Sequence, residues 1–172
     1  MPQDQLRQFE SVILPHLDAA YTLARYLLRD EHDAQDAVQD AALRAFRHFA
    51  TYRGGDARAW FLTVVRNACF SAMRARRTEP ANPDLAIDAS MAVEPRATDA
   101  LAIEQSEMDA VRRAVAALPV EFREVVVLRE LHEMSYAEIS TIVEVPIGTV
   151  MSRLSRGRRL LAQQLGGIKE IG

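Results

Sequence analysis

The sequence predicts an all-α fold: two small helical domains joined by a flexible acidic linker. Three observations carry that prediction. Apolar residues recur at helical spacing through most of the chain, strand-like alternation is nearly absent, and residues 78–100 interrupt the pattern with prolines, small residues and acids. At 172 residues, 49% hydrophobic and 26% charged, the composition is that of an ordinary folded soluble protein. No run approaches the roughly 20 apolar residues that span a bilayer. The opening MPQDQLRQFESVILPHL has no basic start ahead of an apolar core, which argues against a secretory signal. Cys69 is the single cysteine and excludes an internal disulfide. These features point to the cytoplasm.

Residues 4–29 place Leu6, Phe9, Val12, Ile13, Leu17, Ala20, Tyr21, Leu23, Ala24, Leu27 and Leu28 on a helical stripe, split at Pro15, which has no amide for the ladder. Asp30 or Asp33 suits the cap of a second helix. Its expected buried stripe is Ala34, Ala37, Val38, Ala41, Ala42, Ala45, Phe46 and Phe49. TYRGGD at 51–56 is a break, because paired glycines favour a turn. A third helix follows from about Ala57 to Arg76 on Trp60, Phe61, Val64, Val65, Ala68, Cys69 and Ala72.

TEPANPDLAIDASMAVEPRATD, with three prolines and no sustained period, reads as a linker. Helical spacing resumes near Leu101 and runs to Leu118. Pro119 opens the next helix, PVEFREVVVLREL, at a position where a missing amide does no harm. In SYAEISTIVEVPIGTVMSRLSRGRR, residues 135–159, Ser135 and Glu138 have capping-box spacing, and Pro146 and Gly148 mark a corner before a last helix, about Thr149 to Leu165.

Charge is segregated along the chain. The net charge is −3, yet residues 78–110 carry eight acids against Arg96 alone, a net of −7 that leaves about +4 on the rest. Arg66, Arg74, Arg76 and Arg77 precede the acidic segment, and Arg153, Arg156, Arg158 and Arg159 lie near the C-terminus. Such segregation matters more for nucleic-acid binding than the total does.

The 135–159 stretch has the pattern of a helix-turn-helix, in which the second helix enters the major groove. Ala137, Ile139 (or Ser140), Ile142 and Val143 on the first helix, with Val150, Leu154 and Leu161 on the second, are the expected packed positions. The opposite face of the second helix then offers Thr149, Ser152, Arg153, Arg156 and Arg158 to DNA. Arginine can pair with guanine through two hydrogen bonds, worth about 1–3 kcal/mol of discrimination. His16, His32, His48 and His132 share no ligand spacing with one another or with Cys69, so no metal is expected. Without a phosphate loop or a nucleophile–base pair, no cofactor or enzymatic chemistry is expected.

EFREVVVLRELHEMSYAEISTIVEVPIGTVMSRLSRGRRLL resembles the promoter-reading C-terminal domain, region 4, of the extracytoplasmic-function (ECF) sigma factors. DAQDAVQDAALRAFRHF looks like the core-polymerase-binding helix of the same family, and YRGGDARAWFLTVVRNACFSAMRARR like its melting and minus-ten segment. The resemblance implies a region 2 domain over residues 1–77, a linker over 78–100 and a region 4 domain over 101–172. It implies no catalysis. The partners would be core RNA polymerase, through its largest-subunit clamp and flap regions, promoter DNA on the nucleoid, and an anti-sigma protein.

By the same resemblance Asp36, Gln39, Asp40, Leu43 and Arg44 would meet the polymerase. Tyr52, Arg53, Gly54, Gly55 and Asp56 form the loop that would receive a base leaving the duplex. Trp60 either flanks that pocket or fills the core, and Asn67 is the candidate reader of the captured base. Arg66, Arg74, Arg76 and Arg77 would hold phosphates. The acidic linker is either a tether or an occupant of the polymerase RNA path. The corner of the helix pair often carries glycine in this family; Glu144 stands here, a departure that predicts a turn of different construction. A stand-alone helix-turn-helix regulator is the competing reading, and it leaves residues 34–77 without a task.

Overall fold

The computed structural model describes residues 2–78 and 99–166, and every regular element among them is helical. The order is α1 Pro2–Ile13, α2 Leu17–Leu28, α3 Glu31–Arg47, α4 Ala57–Thr78, α5 Asp99–Ala116, α6 Val120–Val126, α7 Tyr136–Val143 and α8 Ile147–Gln164. The acidic linker falls almost wholly on residues 79–98, outside the described residues.

The break at Pro15 is a single 3-10 turn, Leu14–His16, between α1 and α2. Asp30 caps α3, its carboxylate accepting the Asp33 amide hydrogen bond at 2.9 Å, a contact typically worth about 1 kcal/mol. α3 turns Ala34, Ala37, Ala41 and Ala45 inward. Side chains this small let α2 and α4 pack closely against it. Two expected core residues lie elsewhere. Phe46 is 37% exposed, at the margin where its ring meets Phe9 edge-on at 5.2 Å. Leu6 is 43% exposed, because α1 buries only Phe9 and Ile13.

Asp56 starts α4, accepting from the Ala59 amide at 3.1 Å. Phe61, Leu62, Val65, Ala68 and Cys69 are buried around much of the α4 circumference, since this helix packs on α2, α3 and α7. Burial pushes the Cys69 thiol up to about 12, which makes it an inert core residue.

In the C-terminal half α6 continues into a π turn, Val127–Leu131, closed by the His132 amide donating to the Val127 carbonyl at 3.2 Å. α7 and α8 pack on α6 through Ile139, Ile142, Val143, Val150 and Leu154. Ala137 is exposed, contrary to its expected packing; it is the second residue of α7 and lies on the solvent side of that helix. Gly157 is buried against α6, where a Cβ would stand 2.8 Å from Val126 Cγ2.

The expectation of two bodies on a tether omits the main feature of the packing. Buried apolar residues of both halves form one continuous core, with α4 against α7 and α2 against α6. Arg123 of α6, only 2% exposed, ties the halves together. Its guanidinium donates to the carbonyls of Ala116 at 2.9 Å and Leu118 at 3.0 Å, and across the junction to Leu27 at 3.1 Å. The last of these carbonyls belongs to the final turn of α2, where a cation is favoured.

Candidate functional site

The helix pair forms from its caps inward. The Glu138 amide donates to Ser135 Oγ and the Ser135 amide to Glu138 Oε1, both at 3.1 Å, completing the capping box. The corner is built on Glu144 in the left-handed conformation, φ 58° and ψ 46°. The expected departure from a glycine-type turn is therefore absent: glutamate adopts the same backbone, at roughly 1 kcal/mol. Ser140 Oγ donates to the Val145 carbonyl at 2.5 Å and helps hold it there.

Val150, Leu154 and Gly157 bury one side of α8. At 3.6 residues per turn, Thr149, Ser152, Arg153 and Arg156 fall within about 100° of one another on the other side. Ser152 and Arg156 are exposed; Thr149 and Arg153 are half-buried. Arg159, missed as a contact candidate, continues this face and is also exposed. The structure sets Arg158 apart from it. That guanidinium donates to Glu130 Oε1 at 2.7 and 2.9 Å, toward the π turn.

The outer side of α3 carries Asp36, Gln39, Asp40 and Leu43, all exposed, with Arg44 half-buried and paired to Asp40 at 2.8 Å. Leu43 is 54% exposed, an apolar side chain amid charges. Beside it lies a cleft of about 380 Å³ lined by Asp33, Asp36, Asp40, Arg44, Ser71 and Arg76. Arg76 and Asp33 form an ion pair across its rim.

In the 52–56 loop the Tyr52 hydroxyl donates to the Gly55 carbonyl at 2.7 Å, and Gly54 supplies the positive φ of 78° that the bend requires. The Tyr52 ring stacks on Phe49 at 5.8 Å and tilts against Trp60 at 5.2 Å. Trp60 is half-buried, packed against the core and in ring contact with Tyr52 of the loop. Trp60, Asn67 and Arg74 recur at seven-residue steps and share one stripe of α4. Arg53, Arg74 and Arg77 are exposed.

Arg66 differs from them. Its Nε and Nη2 donate to the two carboxylate oxygens of Glu124 at 2.9 and 3.3 Å, while Nη1 lies 3.5 Å from Asn67 Oδ1. Its guanidinium also covers the Phe70 ring at 3.8 Å. The Glu124 side chain is 1% exposed and that of Arg66 17%. Burial raises the Glu124 carboxyl above its ordinary value, against the opposing Arg66 bond and charge.

A second polar contact joins the halves at the α4 N-terminus. Arg58 donates to the His132 carbonyl at 3.1 Å and lies 3.6 Å from Glu138. Arg58, Arg123, Glu124, His132 and Glu138 were not singled out as functional in the sequence. The one available signal was an Arg-Glu pair set inside the apolar run of α6.

Helices with this order, a basic face on one helix pair and an acidic, apolar face on the other half, define a two-domain transcription factor of the sigma-70 type. The family comparisons agree: "Sigma-70 region 2" matches residues 12–79 and "Sigma-70, region 4" matches residues 108–161. The ECF RNA polymerase sigma factor SigM of Mycobacterium tuberculosis is 35% identical over 159 residues, covering 92% of this chain and 77% of its own. SigE of Mycolicibacterium smegmatis is 31% identical over 166 residues; this chain is covered to 95% but spans only 63% of that relative. Among solved structures, the sigma factor RpoE of Bartonella quintana, in complex with the anti-sigma factor NepR, matches with a TM-score of 0.78 at 27% identity. That match covers 95% of this chain and 99% of the RpoE chain. The chain belongs to the ECF family of RNA polymerase sigma factors. Among the described residues, no helix is long and apolar enough to cross a membrane.

Proposed function

We propose that this sigma factor docks on core RNA polymerase through the outer side of α3 and reads promoter DNA at two places. Residues 1–77 form the first unit. Asp36, Gln39, Asp40, Leu43 and Arg44 meet the polymerase; the Tyr52–Asp56 loop, Trp60 and Asn67 handle the minus-ten element. Arg66, Arg74, Arg76 and Arg77 hold its phosphates. Residues 101–172 form the second unit, with Thr149, Ser152, Arg153 and Arg156 reading the minus-thirty-five element. Arg158, paired to Glu130 on another side of α8, is left out of that reading set.

The observation that carries this reading is the pairing of two surfaces on one chain: an exposed Leu43 ringed by charge on α3, and a cationic hydroxyl-bearing face on α8. Neither surface is needed for the fold. The factor acts on nucleoid DNA in the cytoplasm, supplies specificity without catalysing a reaction, and is restrained by an anti-sigma protein, as the complex of its RpoE relative suggests.

Transcription in vitro with purified core on genomic fragments tests the reading. Start sites that share two upstream elements, absent with core alone, are the expected result. A protein that neither co-purifies with core nor changes where it initiates refutes the assignment, and operator binding without core would mark a stand-alone regulator.

A further inference from the structure

We propose that Glu124 holds this sigma factor in a closed state by occupying, with its carboxylate, the place of a DNA phosphate at Arg66. The inference rests on the assignment of Arg66 to promoter DNA and adds a regulatory contact within the chain. Glu124 presents both oxygens to one edge of the guanidinium, at 2.9 and 3.3 Å. A phosphate presents two oxygens to arginine with the same geometry. Phe70 covers one face of the guanidinium at 3.8 Å, and Asn67, the candidate base reader, lies beside its remaining nitrogen. With Glu124 in place, the Nε–Nη2 edge of Arg66 is already occupied, and the side chain is only 17% exposed.

Local release is costly: with the Glu124 side chain 1% exposed, an Arg66 that turned away would leave a buried carboxylate without its cation. Glu124 is fixed on α6, whose neighbour Arg123 is bonded to the Leu27 carbonyl of α2, and α7 lies on α4. Removing Glu124 from Arg66 therefore requires the C-terminal helices to move off α4 together. That same movement breaks Arg58 from the His132 carbonyl and Glu138. One opening thus frees Arg66, uncovers the α4 surface under α7 and lets the two DNA-reading faces separate.

Two variants of the full chain test this without polymerase. Glu124→Gln keeps the shape of the side chain and removes its charge. The pair Arg58→Ala with Glu138→Gln weakens the half-exposed edge of the junction; glutamine still completes the capping box. Small-angle scattering reads closure, and titration of a labelled mixed-sequence DNA duplex at fixed low salt reads the availability of Arg66. If about one molecule in ten is open, masking lowers DNA affinity about tenfold, and release restores roughly that factor.

The proposal expects both variants to expand and to bind DNA more tightly. It expects Arg66→Ala to abolish the gain when added to Glu124→Gln. No expansion in either variant, or expansion with no Arg66-dependent gain, overturns it. Scattering registers closure whether or not the protein directs transcription, so a failure of the sigma-factor assignment would appear separately, as wild-type protein inactive with core.

Discussion

Arg123→Ala tests whether a buried cation welds the two halves into one folding unit. The guanidinium makes three hydrogen bonds to backbone carbonyls, two within the α5–α6 turn and one to Leu27. Charge-assisted bonds contribute about 2 kcal/mol each, or roughly 6 kcal/mol together. Against this stands desolvation: burial is the first cause that lowers the Arg123 value, to about 10, with the Arg29 charge adding to it. That shift corresponds to about 3 kcal/mol held against the charged form. The variant should therefore lose about 3 kcal/mol, a fall of roughly 1.5 M in the urea midpoint for a chain of this size. Trp60 is the sole tryptophan and lies in the N-terminal half, so its fluorescence follows that half while far-ultraviolet circular dichroism follows both. In the wild type the two signals should change together. In Arg123→Ala they should separate, because the bond to Leu27 is lost along with the α5–α6 turn. A loss under about 1 kcal/mol with coincident transitions would refute this account of Arg123.

Other consequences are narrower. Burial, then the Arg58 charge, hold His132 below 6.5 in the folded state, opposed by a hydrogen bond to the Ala19 backbone. As pH falls through 6.5 the unfolded chain takes up a proton that the folded chain does not, so stability should fall with acidification until the folded value is reached. Urea midpoints from pH 8 to 6 measure this, and His132→Gln should flatten the profile. Glu144→Gly should stabilise the helix pair by about 0.5–1 kcal/mol, since glycine adopts the left-handed corner without a Cβ clash; a lower midpoint would show that the Glu144 side chain contributes. Arg156→Ala should weaken binding of promoter duplex and reduce its salt slope by about 1. Arg158→Ala should leave both nearly unchanged, because that guanidinium is committed to Glu130; equal losses would mean that the Glu130 pair opens on DNA.

The helices were legible because their signals are local. Asp30 and Ser135 cap the helices they were assigned to, Pro15 breaks the first stripe, and Ala34, Ala37, Ala41 and Ala45 of α3 are inside. The α8 face was legible for the same reason, as helical spacing fixes which side chains share a side. Phe46 and Leu6 were misplaced because spacing defines an apolar stripe without saying whether another element covers its edge. Arg158 was grouped with its neighbours because its partner, Glu130, lies 28 positions away. Arg66 and Glu124 are separated by 58 positions, beyond any local rule. The adjacent Arg123 and Glu124 within EFREVVVL suggest that α6 is not an ordinary core strut, but the sequence points to no partner for either.

The chemistry of the junction follows from what it must permit. A junction of leucines alone would expose apolar surface whenever the halves parted, at about 25 cal/mol per Å² uncovered. Here the tie is partly ionic: Arg66 with Glu124, Arg58 with Glu138, and Arg123 on backbone carbonyls. Buried ion pairs are often no more stable than apolar residues of equal size, because water solvates the separated charges well. Each charge therefore makes opening less unfavourable than an apolar contact of the same area would. The pairs still specify the closed register, since a shifted α6 would leave Glu124 buried without a cation. Replacing Arg66 and Glu124 together with leucine and methionine should on this reasoning keep the fold and hold the closed form more firmly. Scattering that showed such a variant more open than the wild type would mean that the ion pair, rather than the surrounding apolar contact, supplies most of the closing energy.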